Sequence, residues 1–386
     1  ILALITAANI IETNYQVAFM APTEILAQQH YKLAIKLFEN SNINIQLLTG
    51  KTNFSKKKNI LFDLQKGKIN LLFGTHALFQ NKIKFLNLGF IIIDEQHKFG
   101  VNQRIKLAKK GGKNCDLLLI SATPIPRTMM LSFFGDMDIS RLNEKPKYRK
   151  NIITLIKPER KLDEILPLLK KEISLKRQIF WICPLIDVSS NLNYTSAKKK
   201  FEQVNILFPN QVGLIHGGIE KNIKDKVLQD FLTKKIKILV STTVIEVGID
   251  FPNANTIIIE DSNRFGLSQL HQLRGRVGRG NTESICILLY KNNLSKNARE
   301  RLKVLRSTND GFVIAEKDMQ LRGFGDILGF QQSGIKNFKF ADPLHHKDLF
   351  LLAENEVKKL GKLNFKKFEN LLKLYDKADI INEISN

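Results

Sequence analysis

At 386 residues, with 43% hydrophobic and 25% charged side chains, the chain is long enough for two or three domains and has a globular composition, which excludes a disordered or fibrous protein. Its 60 Lys+Arg against 37 Asp+Glu give a formal net charge of +23, which favours a polyanion such as nucleic acid as partner, although a lysine-rich source proteome would give the same excess. Widely spaced cysteines, and the lack of an apolar run near the roughly 20 residues that span a bilayer, predict buried thiols in a reducing compartment and no membrane association.

The first half of the chain alternates strand-like and helix-like segments. The opening residues read as the inside of a helix, and Leu26, Leu33 and Leu37 fall on one face of a second helix. Short apolar runs, each ending in small or polar residues, occupy 17–20, 43–48, 69–73, 90–93 and 117–120. This alternation predicts a parallel sheet covered by helices, in a first domain over residues 1–145.

A polar stretch around Pro146 reads as a linker, after which the alternation restarts in a second domain, 146–293. Further strands are predicted at 179–183, 212–215, 236–240 and 256–259, and helices at 162–169, 197–207 and 224–231. The remainder, 294–386, is helical near 298–305 and 345–360. The predicted fold class is α/β, with two parallel-sheet domains in tandem followed by a small, mostly helical C-terminal region.

Two adjacent carboxylates follow the most apolar of these strands, where Phe90-Ile91-Ile92-Ile93 stops at Asp94-Glu95-Gln96-His97. The carboxyl ends of parallel strands are where open α/β sheets bind ligands. Asp94 can hold Mg²⁺ there through its water shell, and Glu95 can orient or deprotonate a water. Gln96 and His97 can connect such a metal site to neighbouring loops. The alternative is a charged helix start, in which acidic residues favour the helix dipole.

Hydroxyl-bearing residues follow the other strands. Ser121 and Thr123 can bond the carboxylates and sense a nucleotide, or they form a turn before a helix with proline at its first position. Good contacts for a phosphate backbone, or ordinary helix caps, are offered by Pro22, Thr23, Gly74 and Thr75. After a later strand, Thr242 and Thr243 can grip a nucleic-acid backbone and Asp250 can reach a ribose, with a polar loop as the alternative.

The segment Gln272–Gly280 carries arginines on a glycine-rich loop. Its glycines let the backbone pass close to a ligand. Because Arg276 and Arg279 are three residues apart, on a helical turn their guanidinium groups project the same way and can clamp a triphosphate. The alternative is a basic loop that contacts nucleic acid directly.

The carboxylates and arginines are parts of a nucleotide hydrolase, but the chain contains no G-x-x-x-x-G-K-[ST] phosphate loop. Since the first residue is Ile1 rather than methionine, we expect a fragment whose phosphate loop lies immediately upstream and which is inactive alone.

The ordered strings APTEIL, GTHAL, DEQH, SATPIPRT, STTVIEVGID and QLRGRVGRG resemble the motor core of superfamily-2 helicases. Four stretches further resemble the RecG family of bacterial branched-DNA helicases: Ile92–Val101, Phe134–Asp138, Asp310–Asp318 and Leu321–Gly334. The resemblance implies two RecA-like domains with ATP and Mg²⁺ between them. Asp94 would coordinate the metal and Glu95 would position water, within a catalytic set that includes Gln96, His97, Arg276 and Arg279. The implied nucleotide contacts are Asp94, Ser121, Thr123, Asp250, Gln272, Arg276 and Arg279.

The resemblance also implies how DNA is held and moved. Pro22, Thr23, Gly74, Thr75, Thr242 and Thr243 would follow the DNA backbone. The family's translocation hairpin and loop use two arginines and a glutamine, which match Arg301, Arg322 and Gln332 by spacing, although Phe324 stands where the family has a proline. On this basis the parent protein remodels stalled forks and Holliday-type junctions in recombination and repair. We expect a monomer in the bacterial cytoplasm, at the nucleoid, with branched or forked DNA as partner and a single-strand-binding protein as a further candidate.

Two alternatives stay open. A transcription-repair coupling factor shares the motor and the hairpin and moves along duplex DNA. A motor-derived DNA-binding protein that never hydrolysed ATP would have no need of DEQH or of the two loop arginines, so their presence argues against it.

Overall fold

The computed structural model describes residues 1–80, 82–95, 112, 115–121, 138–142, 144, 150–184, 190–242, 251–278, 280, 282–291, 294–322 and 346–360. These residues fall into two compact units. The first, Ile1–Pro124 with Lys145–Ile314, contains both β-sheets, and the second comprises the described residues of Ile125–Glu144 and Ala315–Asn386. No helix within these described ranges is long and apolar enough to cross a bilayer.

The first sheet has five parallel strands in the order β2-β3-β1-β4-β5. They are β1 Gln16–Met20, β2 Ile45–Leu48, β3 Leu71–Gly74, β4 Leu88–Ile93 and β5 Asp116–Leu119. The helices that accompany them are α1 Leu2–Glu12, α2 Glu24–Leu37 and α3 Phe54–Gln65. The five predicted strands and the helix at the chain start are confirmed, with ends shifted by one or two residues.

The second sheet has six parallel strands in the order β6-β11-β10-β7-β9-β8. They are β6 Ile152–Pro158, β7 Gln178–Ile182, β8 Val212–Ile215, β9 Ile238–Ser241, β10 Ala254–Ile259 and β11 Ser284–Tyr290. The helices of this half and the tail are α4 Leu166–Ser174, α5 Ser190–Leu207, α6 Lys221–Leu232, α7 Leu267–Arg274, α8 Lys296–Ser307, α9 Gly311–Arg322 and α10 Lys347–Leu360. The α/β fold class with two parallel sheets is confirmed, while the domain boundaries stay predictions.

Two strands of the second sheet, β6 and β11, are not predicted from the sequence, and one helix begins later than expected. The strand β6 lies at the sheet edge with a mixed burial pattern, so its apolar signal is weak, and β11 follows directly on the glycine-rich loop, whose turn residues obscure its start. The helix predicted over 162–169 is a 3₁₀ turn, Glu159–Glu164, followed by α4. Because Pro167 has no N–H to donate, it is tolerated in the first turn of α4 and not in the middle of a helix.

Alternating residues of the central strand β1 enter different apolar clusters. Ala18 and Met20 belong to one cluster, and Val17 and Phe19 to another. Both faces of the first sheet are therefore covered, which explains why every residue of β1, β3 and β4 is buried. With both faces occupied, the carboxyl ends of the strands are left as the place for chemistry.

The three cysteines are free thiols, and the predicted burial is confirmed for two of them. Cys183 and Cys286 are buried, and Cys115 is half-buried. Burial raises the pKa of the Cys286 thiol to about 12 and that of the Cys115 thiol to about 11. At neutral pH these thiols stay protonated, so they act as packing groups rather than nucleophiles.

Candidate functional site

Asp94 follows directly on β4, at the edge of the first sheet where a ligand is expected. Its backbone N–H donates to the carbonyl of Met20 on the neighbouring β1 at 2.9 Å, so the last hydrogen bond of the sheet fixes the residue. Its carboxylate is held from two sides. The backbone N–H of Glu95 donates to Oδ1 at 2.9 Å, and Nε2 of His30 lies 2.8 Å from Oδ2. Each oxygen keeps a further lone pair for a water or a metal.

Glu95 has a left-handed backbone conformation, with φ of 51°. This region is uncommon for residues other than glycine, and such strain is concentrated at functional sites. Its side chain is half-buried. The strained turn places two acidic side chains in succession immediately beyond a buried strand.

The donor set at Asp94 fits a magnesium ion that is held largely through water. Magnesium at nucleotide sites keeps several waters and takes one or two carboxylates together with phosphate oxygens. Within the part of the chain that the structure describes, no group of three His, Cys, Asp or Glu side chains could form an all-protein cage. The chemistry therefore suits an ion that arrives with a nucleotide rather than a resident metal.

Ser121 lies at the same edge, just beyond the neighbouring strand β5. The N–H of Ile120 donates to the carbonyl of Ile93 at 2.8 Å, which carries the β4–β5 pairing to the residue before Ser121. The Ser121 side chain is half-buried. The structure thus brings Asp94, Glu95 and Ser121 to neighbouring strand ends, whereas Gln96, His97 and Thr123 lie outside the described residues.

Thr23 begins α2 as a helix cap: its Oγ1 accepts a hydrogen bond from the N–H of Leu26 at 3.3 Å. The helix-cap interpretation is therefore confirmed for this residue. A hydroxyl still has its own proton to donate, so capping and a hydrogen bond to a DNA phosphate are compatible. Pro22 beside it is half-buried.

Thr75 follows β3 and precedes a 3₁₀ turn, but its side chain makes no capping bond. The glycine before it, Gly74, has a packing reason of its own. A Cβ there would lie 2.8 Å from the carbonyl oxygen of Leu48 and from Cγ of Leu78. Glycine is required for close packing at this strand end, and the half-buried Thr75 is the side chain available for a ligand.

The hydroxyls at the end of β9 are buried and unsatisfied. Ser241 and Thr242 are both fully buried, and neither hydroxyl has a hydrogen-bond partner among the described residues. An unsatisfied buried polar group costs about 1–3 kcal/mol, so each such group needs an explanation. A ligand at this strand end is one explanation that agrees with the sequence prediction for Thr242, while Thr243 and Asp250 lie outside the described residues.

The helix α7 leads into the glycine-rich loop. The side chains of Gln272 and Arg276 are half-buried. Gly278 has φ of 77°, and a Cβ there would lie 3.0 Å from Cγ1 of Ile152 on β6. This glycine is therefore explained by the backbone and by packing on β6 rather than by a passing ligand, and Arg279 lies outside the described residues.

Arg274 is a structural residue that sequence reasoning missed. It is 2% exposed, and its Nη1 donates to the carbonyls of Leu305 at 2.5 Å and Thr308 at 3.0 Å, at the end of α8. Burial lowers the pKa of this guanidinium. The motif contains three arginines, and only the position of α8 shows that the first is used to join two helices.

Arg301 makes the reciprocal connection from α8. Its guanidinium donates to the carbonyl of Phe265 at 3.0 Å and to that of Asn263 at 3.1 Å, in the turn that precedes α7. Together, Arg274 and Arg301 cross-link the arginine-bearing helix and the following helix in both directions. Arg322 is the last residue of α9, but its side chain and all of Gln332 lie outside the described residues.

Comparisons with known proteins agree with this arrangement. The DEAD/DEAH box helicase family matches residues 1–131, the helicase conserved C-terminal domain matches 160–281, and the C-terminal part of domain 3 of ATP-dependent DNA helicase RecG matches 308–364. The chain is 45% identical over 371 residues to the ATP-dependent DNA helicase RecG of Aquifex aeolicus, covering 94% of this chain and 47% of that protein. It is 46% identical over 335 residues to the same helicase of Bacillus subtilis, covering 86% of this chain and 49% of that protein. The chain belongs to the RecG helicase family.

A solved structure described as RecG bound to a three-way DNA junction has 42% sequence identity and a TM-score of 0.67, over 87% of this chain and 43% of that one. A yeast Dbp5 structure with RNA and ADP BeF3 has a TM-score of 0.56 at 19% identity, which shows a shared fold alone. The chain spans about half the length of the curated RecG relatives it matches and corresponds to their C-terminal part. The RecG assignment therefore covers the two sheets and the start of the tail.

Proposed function

We propose that this chain is the ATP-driven motor of a RecG-type DNA helicase that remodels branched DNA, such as stalled forks and Holliday-type junctions, in recombination and repair. The observation that carries the proposal is the Asp94-Glu95 pair, strained and oriented at the carboxyl end of a buried strand in a RecG-family chain. Its relatives are ATP-dependent DNA helicases, and one is seen on a three-way junction. We infer the same activity and the same kind of DNA partner for the full-length protein.

In the proposed reaction the acidic pair divides the work. Asp94 would hold Mg²⁺ and Glu95 would orient the attacking water, assisted by Gln96 and His97. When bound, the ion neutralises phosphate charge and aligns the triphosphate. The residues expected to contact the nucleotide are Ser121, Thr123, Asp250, Gln272, Arg276 and Arg279. The two arginines would balance the charge that develops as the terminal phosphate leaves.

The proposed path from nucleotide to DNA uses the cross-linked helices. A movement of the Arg276 loop would be passed to α8 through Arg274 and Arg301, because each guanidinium group bonds two backbone carbonyls of the other helical segment. Arg322 and Gln332 would continue the connection to the translocation loop. The DNA backbone would follow Pro22, Thr23, Gly74, Thr75, Thr242 and Thr243.

An exposed basic face on α8 supports a polyanionic partner. Arg299, Lys303 and Arg306 lie at helical spacing beside a groove that is also lined by Ile156 and Tyr290. Nucleic-acid backbones are recognised by such clusters of cations. We further infer a monomer that works at the bacterial nucleoid, with a single-strand-binding protein as a candidate partner.

The test of the proposed function is Glu95→Gln in the full-length protein. An amide cannot accept a proton from water, so DNA-stimulated ATP hydrolysis should fall by about 10²–10⁴-fold while nucleotide binding survives. Steady-state hydrolysis with forked, linear and single-stranded DNA, together with binding of a fluorescent ATP analogue, provides both measurements.

The matched control is Asp261→Asn, since Asp261 also follows a buried strand and also has a left-handed φ, of 45°. Its carboxylate is bonded to Lys291 at 2.9 Å and has no proposed part in hydrolysis, so turnover per folded molecule should stay near that of the natural protein. Near-normal hydrolysis in Glu95→Gln would remove Glu95 from its proposed role. A natural protein that binds branched DNA without hydrolysing ATP would favour the non-catalytic alternative.

A further inference from the structure

His30 lies on α2 and reaches the proposed metal carboxylate. Its Nε2 is 2.8 Å from Oδ2 of Asp94, with the two side chains 27% and 16% exposed. Its ring packs on that of Phe19, with the centroids 4.8 Å apart. Phe19 belongs to β1, whose last residue, Met20, accepts the backbone N–H of Asp94. The imidazole is therefore fixed by the same strand that fixes the backbone of Asp94.

The contact has one chemically sensible direction. A carboxylate oxygen only accepts hydrogen bonds, so the Nε2–H of His30 donates to Oδ2 of Asp94. The backbone N–H of Glu95 donates to the other oxygen, Oδ1. Two donors on different oxygens set the rotation of the carboxylate group and leave the remaining lone pairs for an incoming ligand.

We propose that His30 is a positioning residue for the metal site: it holds the Asp94 carboxylate in the orientation that receives Mg²⁺. The inference rests on the proposed function, in which Asp94 is the metal ligand. Side chains that orient metal ligands from the second layer contribute about 10–100-fold to metal affinity in known sites.

Two substitutions separate the hydrogen bond from the packing. His30→Phe keeps an aromatic ring against Phe19 but removes the donor. His30→Gln gives up the ring but offers an amide N–H that can reach Asp94. Gln28→Ala is the control, because Gln28 is an exposed residue of the same helix.

The measurement is Mn²⁺ binding to the full-length protein with a non-hydrolysable ATP analogue, followed by electron paramagnetic resonance. We expect His30→Phe to weaken Mn²⁺ binding about tenfold or more, His30→Gln to stay within about threefold of the natural protein, and Gln28→Ala to leave it unchanged. In ATP hydrolysis, His30→Phe should raise the half-saturating Mg²⁺ concentration by a similar factor, while kcat at saturating Mg²⁺ changes much less.

Unchanged Mn²⁺ affinity in His30→Phe would overturn the proposal, as would tighter binding, which would mean that His30 competes with the ion. Equal weakening in His30→Phe and His30→Gln would assign the effect to packing and would overturn it too. Asp94→Asn separates the two levels of inference. If Asp94→Asn loses Mn²⁺ affinity and His30→Phe does not, only the role of His30 fails. If Asp94→Asn keeps full affinity, the metal assignment in the proposed function fails as well.

Discussion

The two sheets of the first unit are built on the same plan but end in different chemistry. Strands β1–β5 run in the order β2-β3-β1-β4-β5, and β7–β11 repeat that order as β8-β9-β7-β10-β11, with β6 added beyond β11. An acidic pair follows the equivalent strands β4 and β10: Asp94-Glu95 in one, Glu260-Asp261 in the other. The first member of each pair donates its N–H to the central strand at 2.9 Å, and the second has a left-handed φ, of 51° or 45°.

What faces the two acidic pairs is different. Glu260 accepts hydrogen bonds from Nζ of Lys200 at 2.7 Å and from Nε1 of Trp181 at 3.0 Å. Asp261 is bonded to Lys291 at 2.9 Å, which raises the pKa of that lysine. Both carboxylates of the second sheet are therefore neutralised within the protein, whereas Asp94 has an imidazole and a backbone N–H. The backbone places a carboxylate pair at this strand end in both sheets, and the partner side chains decide whether its charge remains available to a metal.

The largest expected effect comes from breaking the neutralised pair of the second sheet. Lys200 and Glu260 are only 12% and 11% exposed, so Lys200→Met leaves a buried carboxylate without its cation. We expect the free energy of unfolding to fall by about 3–5 kcal/mol in urea denaturation. The double variant Lys200→Met/Glu260→Gln should recover a large part of the loss, because it removes the stranded charge.

The matched control on the same helix is Lys199→Met, which changes an exposed lysine and should cost little. In the first sheet, Asp94→Asn should lower the free energy of unfolding by about 1 kcal/mol or less, since the Asp94–His30 pair is partly solvent-screened. The comparison fails if Lys200→Met and Asp94→Asn destabilise the protein equally, because both pairs would then be structural.

The two sheets also share a glutamine at the first residue of the central strand, whose side chain bonds the backbone of neighbouring segments. The first residue of β1 is Gln16 and the first residue of β7 is Gln178, and each Nε2 donates to two backbone carbonyls. The accepting carbonyls and their distances are Leu64 at 3.0 Å and Ile69 at 2.8 Å in the first sheet, and Phe231 at 2.6 Å and Ile236 at 2.9 Å in the second. In the first sheet, Oε1 of Gln16 also accepts the N–H groups of Leu86 and Asn87.

Replacing these glutamines should therefore give unequal losses. Gln16→Ala removes four hydrogen bonds to backbone groups and should lower the free energy of unfolding by about 3 kcal/mol, against about 2 kcal/mol for Gln178→Ala, which removes two. Urea denaturation of both variants gives the comparison. Gln46→Ala is the control, because Gln46 also lies on a strand of the first sheet but bonds only a side chain, at 3.2 Å. Equal costs for Gln16→Ala and Gln178→Ala would mean that the extra acceptor bonds of Gln16 add nothing.

The sequence could predict the strand ends because buried parallel strands have continuous apolar runs that stop at the chemical residues. Asp94 is found in this way, since it follows Ile93 directly. His30 could not be found, because its partner lies 64 residues away and no periodicity or turn signal marks a histidine in the middle of a helix. The repeated use of Gln16 and Gln178 is equally hidden, since one matching residue does not make a detectable repeat.

The arginines of the glycine-rich loop show a second limit. Arg274 and Arg276 are neighbours in the same motif, and residue type alone gives them the same role. Only the packing of α8 distinguishes them, because it buries the guanidinium of Arg274 against two backbone carbonyls. Likewise, Thr23 is typical of a helix cap or of a phosphate contact, and the structure shows that its oxygen is used for the cap. A hydroxyl that accepts one hydrogen bond can still donate another, so the phosphate contact stays a prediction.

The smallest expected effect on stability comes from the residues that follow the equivalent strands β2 and β8. Thr49 accepts the N–H of Lys51 at 3.3 Å in the first sheet, and Nδ1 of His216 accepts the N–H of Gly218 at 3.2 Å at the equivalent place in the second. Burial, with the nearby charge of Lys198, lowers the pKa of His216. Below the ordinary histidine pKa of about 6.5, His216 therefore takes up a proton more readily in the unfolded chain than in the folded one. The contribution of unprotonated His216 to the stability of the folded protein is fully present above about pH 6.5 and is lost as the pH falls below it.

We therefore expect acidification from pH 7 to pH 5 to reduce the free energy of unfolding by on the order of 1 kcal/mol more in the natural protein than in His216→Thr. Threonine reproduces the acceptor of the first sheet and has no group that titrates in this range. Urea denaturation at several pH values measures the difference, with Thr49→Ser as a control that keeps an acceptor hydroxyl. A natural protein and a His216→Thr variant with parallel pH profiles would contradict the prediction. They would show that the second sheet tolerates a charged imidazole at a position where its backbone bond requires an unprotonated Nδ1.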